Sequence, residues 1–149
     1  MMGRVALFSA AAAGVFLLDQ ATKFWIVWRL GLETRLRIDV VPPFLNLRMA
    51  WNEGVNFGLP LAGPGVLIAL SAAISAGLAW WALRRGGAAL ALGAGRTAGG
   101  AAGTALDRAL YGAVADFLNM SCCGIDNPYA FNIADIAIFA GVAVIALKA

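Results

Sequence analysis

The sequence has no histidine in 149 residues, and its two cysteines, Cys122 and Cys123, are neighbours. Without imidazole, Ser–His and Cys–His nucleophilic sites are excluded, and nearly every zinc site with them. Adjacent cysteines rarely bridge each other, so there is no disulfide framework. Charge is also scarce. Asp, Glu, Lys and Arg make up 13% of the chain, against roughly 25% in a soluble domain. The net charge of +3 supplies no basic patch, so nucleic acid is not an expected partner. What is abundant is apolar: 62% hydrophobic residues and a mean hydropathy of +0.82. A chain this apolar cannot cover itself with polar groups in water, and it is not disordered. It is suited to a bilayer.

A helix needs about 20 apolar residues to cross the hydrocarbon core. Four stretches qualify, at about 5–27, 64–83, 88–110 and 129–147. The first runs on through Phe24, Trp25, Ile26 and Val27, too far for a cleaved secretory signal. The second opens at Gly63-Pro64-Gly65 and closes at Trp80-Trp81 and Arg84-Arg85, as interface anchors do. The third carries Gly95, Gly99 and Gly103 at a spacing that lets helix backbones approach closely. Packing within one bundle is the expected use, and a monomer the expected state. Between the first two spans the period changes to two. Apolar and polar residues alternate in Arg35–Val40 and again in Leu45–Trp51, on either side of Pro42-Pro43. This amphipathic β segment, about 32–58, is expected to lie on the membrane surface as a small sheet. The expected fold is an all-α membrane protein of one domain over 1–149, with four transmembrane helices and that sheet between spans one and two. Arg84-Arg85 in a short loop places that loop, and by parity both termini, in the cytoplasm. Arg4 and Lys148 agree, whereas Arg29, Arg35, Arg37, Arg48 and Arg108 fall on the outer side.

Charged groups in a membrane are functional candidates by default. Asp19 lies about 21 Å along a helix from Val5 at ~1.5 Å per residue, past the midplane. Lys23 follows at i+4 on the same face. Asp107 and Arg108 end the third span, Asp116 sits in a short connector, and Asp135 is expected about two turns into the fourth span. The acids therefore gather near one interface. A Ser–Lys site is poorly supplied, because Ser9 and Ser75 have no lysine nearby and Ser121 has only Lys23. A carboxylate-only metal site would favour magnesium or calcium. Two facing acids, one ionised and one protonated, suit the activation of water for peptide hydrolysis. Asp116 with Asp135, or Asp107 with Asp135, fits that need. The competing reading is that the acids pair with Arg108 and Lys23 and only fix helix packing.

Five segments in order resemble one family. They are Asp19-Gln20-Ala21-Thr22-Lys23, Asn52-Glu53-Gly54-Val55-Asn56-Phe57-Gly58, Gly99-Gly100 through Gly103 to Asp107-Arg108, Val114-Ala115-Asp116-Phe117, and Phe131-Asn132-Ile133-Ala134-Asp135. Their order and spacing resemble the lipoprotein signal peptidases (signal peptidase II) of bacteria. The resemblance implies a four-helix inner-membrane aspartic endopeptidase with a periplasmic β-cradle. It implies removal of the signal peptide from prolipoproteins, just before a cysteine carrying diacylglycerol. The implied partners are that lipid-modified substrate and membrane lipid, with no cofactor and no metal. The resemblance selects Asp116 and Asp135 as the catalytic pair, with the site facing the periplasm. Asp19, Lys23, Asn52, Gly54, Asp107, Arg108 and Asn132 match supporting or substrate-contacting positions. Thr104 stands where the family usually has Asn, which shortens the polar group available there. Arg96 stands where the family is usually aliphatic, and is expected to snorkel inward or line a cavity. Two other classes remain as alternatives: a four-span proton-coupled transporter, whose key acid should lie at the midplane, and a non-catalytic membrane scaffold.

Overall fold

The computed structural model describes residues 2–54 and 63–148. Its elements run in the order α1 (Met2–Lys23), a π-helical segment (Phe24–Arg29), α2 (Leu32–Arg35), β1 (Arg37–Val41), β2 (Leu45–Asn52), α3 (Pro64–Arg85), α4 (Ala88–Tyr111), β3 (Val114–Met120) and α5 (Ile133–Lys148). The molecule is mostly helical, with one small antiparallel sheet in the order β1-β2-β3.

α4 is the central helix. It packs against α1, α3 and α5. Glycine is a poor helix former, yet here it sets the distance between backbones. A Cβ on Gly95 would lie 2.5 Å from the Phe8 carbonyl oxygen, and one on Gly100 would lie 2.7 Å from the Ala134 oxygen. Gly95 and Gly99 meet α1, whereas Gly93 and Gly100 meet α5. The small-residue repeat is thus consumed inside the bundle. Arg96, on the same helix, is exposed.

Two helical stretches, Met2–Arg29 and Pro64–Arg85, are long and apolar enough to cross a membrane, and little of either is buried inside the chain. Leu17, Leu18, Leu70, Ile74 and Trp80 are all more than half exposed, which suits a lipid surround. α5 is shorter, with 16 residues. It begins at Ile133 rather than near Tyr129, because the chain before it is bound to β3.

Two corrections to the sequence reading concern the sheet. The segment 114–120 is a strand, not a loose connector, and it pairs with β2 through Asn46↔Asn119, Ala50↔Asp116 and Asn52↔Val114. The sheet therefore draws on two separate stretches of chain and does not lie wholly between the first two apolar helices. The expected β segment also opens on a helical turn, α2, and its end at 55–58 lies outside the described residues. Beneath the sheet, Val27, Leu32, Leu47, Ala115 and Phe117 form a small core. That core joins the sheet to the end of the first long helix.

Candidate active site

Asp116 is delivered by β3 and is almost fully buried. Its Oδ2 accepts a hydrogen bond from Asn52 Nδ2 at 3.2 Å, and its Oδ1 accepts one from Asn132 Nδ2 at 2.7 Å. The register explains the first contact. Asn52 is the diagonal neighbour of Asp116 on the same face of the β2–β3 pair. Asn52 in turn accepts from the Gly54 backbone N–H at 2.9 Å. Gly54 has a φ of +107°, and a Cβ there would collide with Leu67 of α3.

Asp135 lies in the first turn of α5, not two turns in. It is held by a reciprocal cap. Asn132 Oδ1 accepts from the Asp135 N–H at 3.0 Å, and Asp135 Oδ2 accepts from the Asn132 N–H at 3.1 Å. This is the capping-box pattern, with Asn and Asp in place of Ser and Glu. Asn132 is fully buried and contacts both carboxyl groups, Asp116 with its side chain and Asp135 with its backbone. The preceding residue fixes the whole arrangement. Phe131 exchanges backbone hydrogen bonds with Leu118 at 2.8 and 2.9 Å and accepts a third from Phe117. The start of α5 is thereby tied to the strand that carries Asp116.

Burial pushes the Asp116 carboxyl up to about 6, and the nearby Asp135 charge adds to the effect. The hydrogen bonds from Asn52 and Asn132 and the charge of Lys23 oppose it. A carboxyl poised in this way beside a second carboxyl can hold a proton while its neighbour is ionised.

Behind the pair lies a buried ion cluster. Lys23 Nζ lies 2.7 Å from Asp19 Oδ2 and 2.7 Å from Asp107 Oδ2. Asp19 Oδ1 accepts from the Ala134 N–H, in the first turn of α5, and Asp107 Oδ2 accepts from the Ala115 N–H, next to Asp116. Each acid thus positions the backbone beside one member of the pair. Asp107 is turned toward Lys23 and Ala115 rather than toward Arg108. The sequence reading did not single out Gln20. Its Nε2 donates to Asp19, to Asp107 and to the Gly103 carbonyl. The signal was available, since Gln20 lies between Asp19 and Lys23 in a helix that is otherwise mostly apolar.

Arg108 faces elsewhere. Its Nε is buried without a hydrogen-bond partner among the described residues, and it lines a cavity of about 290 Å³ between α3, α4 and α5, with Leu67, Ser71, Thr97 and Ile138. The Thr104 hydroxyl bonds back to the Ala101 carbonyl at 3.1 Å, so it contributes nothing to the carboxylate pair. Ser121 accepts from the Asn127 N–H and has no link to Lys23, whose partners are the two acids. Val55, Asn56, Phe57 and Gly58, quoted in the second motif, lie outside the described residues. Among the described residues, no three acid or thiol side chains converge so as to hold a metal ion.

The sequence model of the Signal peptidase (SPase) II family matches residues 11–149. The chain is 40% identical over 138 residues to a lipoprotein signal peptidase of Methylobacterium sp. (strain 4-46), covering 90% of this chain and 82% of that one. It is 39% identical over 142 residues to that of Caulobacter vibrioides, covering 93% and 83%. Its fold is similar, with a TM-score of 0.81 and 26% identity, to a bacterial membrane enzyme solved by the in meso method at 1.9 Å, covering 99% of this chain and 93% of that one. With the matched region spanning almost the entire sequence, and relatives matched over most of their own length, the chain belongs to the signal peptidase II family.

Proposed function

We propose that this signal peptidase is an aspartic endopeptidase whose catalytic pair is Asp116 and Asp135. It removes the signal peptide from prolipoproteins, the activity its family and relatives are named for, and it cuts just before a diacylglyceryl-modified cysteine. One observation carries the choice of residues: Asn132 binds both carboxyl groups, from two different elements, and so fixes them in one place. In this reading the protonated acid polarises the scissile carbonyl. The ionised acid takes a proton from water, and the resulting hydroxide attacks that carbon. The tetrahedral intermediate collapses as the amine leaves with a proton from the pair. No acyl-enzyme forms.

The bundle supplies the setting. Four spans (α1 with its π-helical extension, α3, α4 and α5) cross the bacterial inner membrane, and the sheet end faces the periplasm. A lipid-anchored cysteine then arrives at the depth of the pair. α4 and α5 count as spans although neither is long and apolar enough alone; α4 is sheathed by its neighbours. The transporter alternative is not favoured by the family match, and Asp19 is committed to Lys23 and Ala134.

The test is cleavage of a diacylglyceryl-modified prolipoprotein by purified protein, read by gel shift. Asp116→Asn and Asp135→Asn should each abolish cleavage, and the double variant should be no worse, since the two act as a unit. Near-normal turnover by either single variant removes that residue from the pair. Equal cleavage of unlipidated precursor would overturn the substrate assignment.

A further inference from the structure

We propose that a second cavity, on the opposite face of the sheet from the acid pair, binds the ammonium headgroup of a membrane phospholipid. The register separates the two sites. Ala50 pairs with Asp116 and Trp51 with Ala115, so alternation turns Asn52 and Asp116 one way and Trp51 and Ala115 the other. On that other face lies a cavity of about 140 Å³, walled by Trp28, Trp51 and Tyr111 and floored by Gln20, Lys23 and Asp107. The Tyr111 ring centre lies 6.0 Å from that of Trp28 and 5.5 Å from that of Trp51, tilted by 45° and 56°.

The three rings come from three elements: the π-helical segment, β2 and the last residue of α4. They are therefore not the apolar stripe of one helix. The wide π-helical turn, a geometry frequent at functional sites, supplies Trp28 and also Phe24 and Val27 to the lining.

Charge decides the occupant. One ammonium, Lys23, sits between two carboxylates, Asp19 and Asp107, so the three groups sum to one formal negative charge. Gln20 turns its amide nitrogen to the acids, which leaves its carbonyl oxygen to accept from elsewhere. Lys23 and Asp107 on the floor cancel, and Asp19 behind them leaves the cluster net negative, so aromatic rings above it favour a cation over a lone anion. At a lipid–water boundary the cation always at hand is the alkylammonium of a phospholipid. The inference rests on the reading that this end of the bundle lies at that boundary. An occupant would touch Asp107, which holds Ala115 beside Asp116, without entering the face where the substrate is cut.

The test uses the intact protein, stripped of lipid in detergent and titrated separately with short-chain diacyl phosphoethanolamine, the matched phosphoglycerol lipid and ethanolamine alone. Binding is read by native mass spectrometry, with no substrate present, so a failure here leaves the peptidase assignment untouched. The wild-type protein should retain the ethanolamine lipid in preference to the glycerol lipid. Trp28→Leu combined with Tyr111→Leu should weaken that binding by about tenfold, as loss of cation–π contacts implies, and Trp28→Phe should keep most of it. Equal retention of the two lipids by the wild type, equal binding of free ethanolamine, or a preference unchanged in the Leu variant would each overturn the proposal.

Discussion

Asp116 sits among contacts that pull its proton affinity in opposite directions. Burial and Asp135 raise it to about 6, while the amides of Asn52 and Asn132 and the charge of Lys23 hold it down. A donated hydrogen bond favours the ionised carboxylate, so its removal favours the acid. Asn52→Ala should therefore let Asp116 keep its proton to higher pH. With Asp116 as the protonated partner, the falling limb of kcat/KM should lie near pH 6 in the wild type and move upward in the variant. Linkage gives the matching stability effect. The Asp116 contribution is complete below the ordinary value of 3.8 and is lost as pH rises through about 6. Thermal melts across that window should show the decline. Thr104 invites a second substitution. Its hydroxyl is committed to Ala101, and Thr104 itself lies one helical turn beyond Gly100, which packs on Ala134 and Ile138. Thr104→Asn should extend an amide toward the first turn of α5. A new hydrogen bond is worth roughly 0.5–1.5 kcal/mol, so turnover in the gel-shift assay should rise several-fold, not a thousandfold.

Among the elements, α4 has the least freedom to change. A Cβ on Gly103 would fall 2.5 Å from Asp19 Oδ2, at the centre of the ion cluster. Gly103→Ala should destabilise the fold by an overpacking cost of about 1–3 kcal/mol, read as a lower melting temperature, and it should also reduce cleavage by disturbing Asp19 and Lys23. Gly77→Ala, in the open on α3 with nothing within 4 Å among the described residues, should be neutral or slightly stabilising; thermal unfolding of the two side by side checks the contrast. This division was partly legible in the sequence. The long apolar runs, the glycine spacing and the alternation over β1 and β2 all follow from local periodicity. β3 was not legible. Its register, with Val114 to Phe117 buried in succession, hides the alternation that an exposed strand would show. The start of α5 was missed for another reason. An apolar run continues back to Tyr129, and only the Asn132–Asp135 cap and the Phe131 pairing stop the helix. The acids were visible as a group, but the delivery of Asp116 and Asp135 to one asparagine depends on that pairing, a contact between separate stretches that no local pattern encodes.

At the scale of the molecule, orientation is open to direct measurement. Cys122 and Cys123 are exposed, and the sequence holds no other cysteine. They sit in the turn after β3, on the sheet end that should face the periplasm. A membrane-impermeant maleimide added to intact spheroplasts should label the wild-type protein. With both native cysteines replaced by serine, a cysteine placed at Gly87 should be labelled only after the membrane is permeabilised. The reverse pattern would invert the topology. The same turn bears on how the two acids can drift apart in the chain. Their relative position is stitched by the Leu118–Phe131 pairing, and residues 121–130 close the loop between the end of β3 and that stitch. The loop is itself tied down at Asn127 and Tyr129, whose carbonyls accept from Asn119 Nδ2 at 2.7 and 2.8 Å, and the exposed residues 122–126 lie outside that tie. The tip at 122–126 should therefore tolerate a change of length without moving Asp116 relative to Asp135.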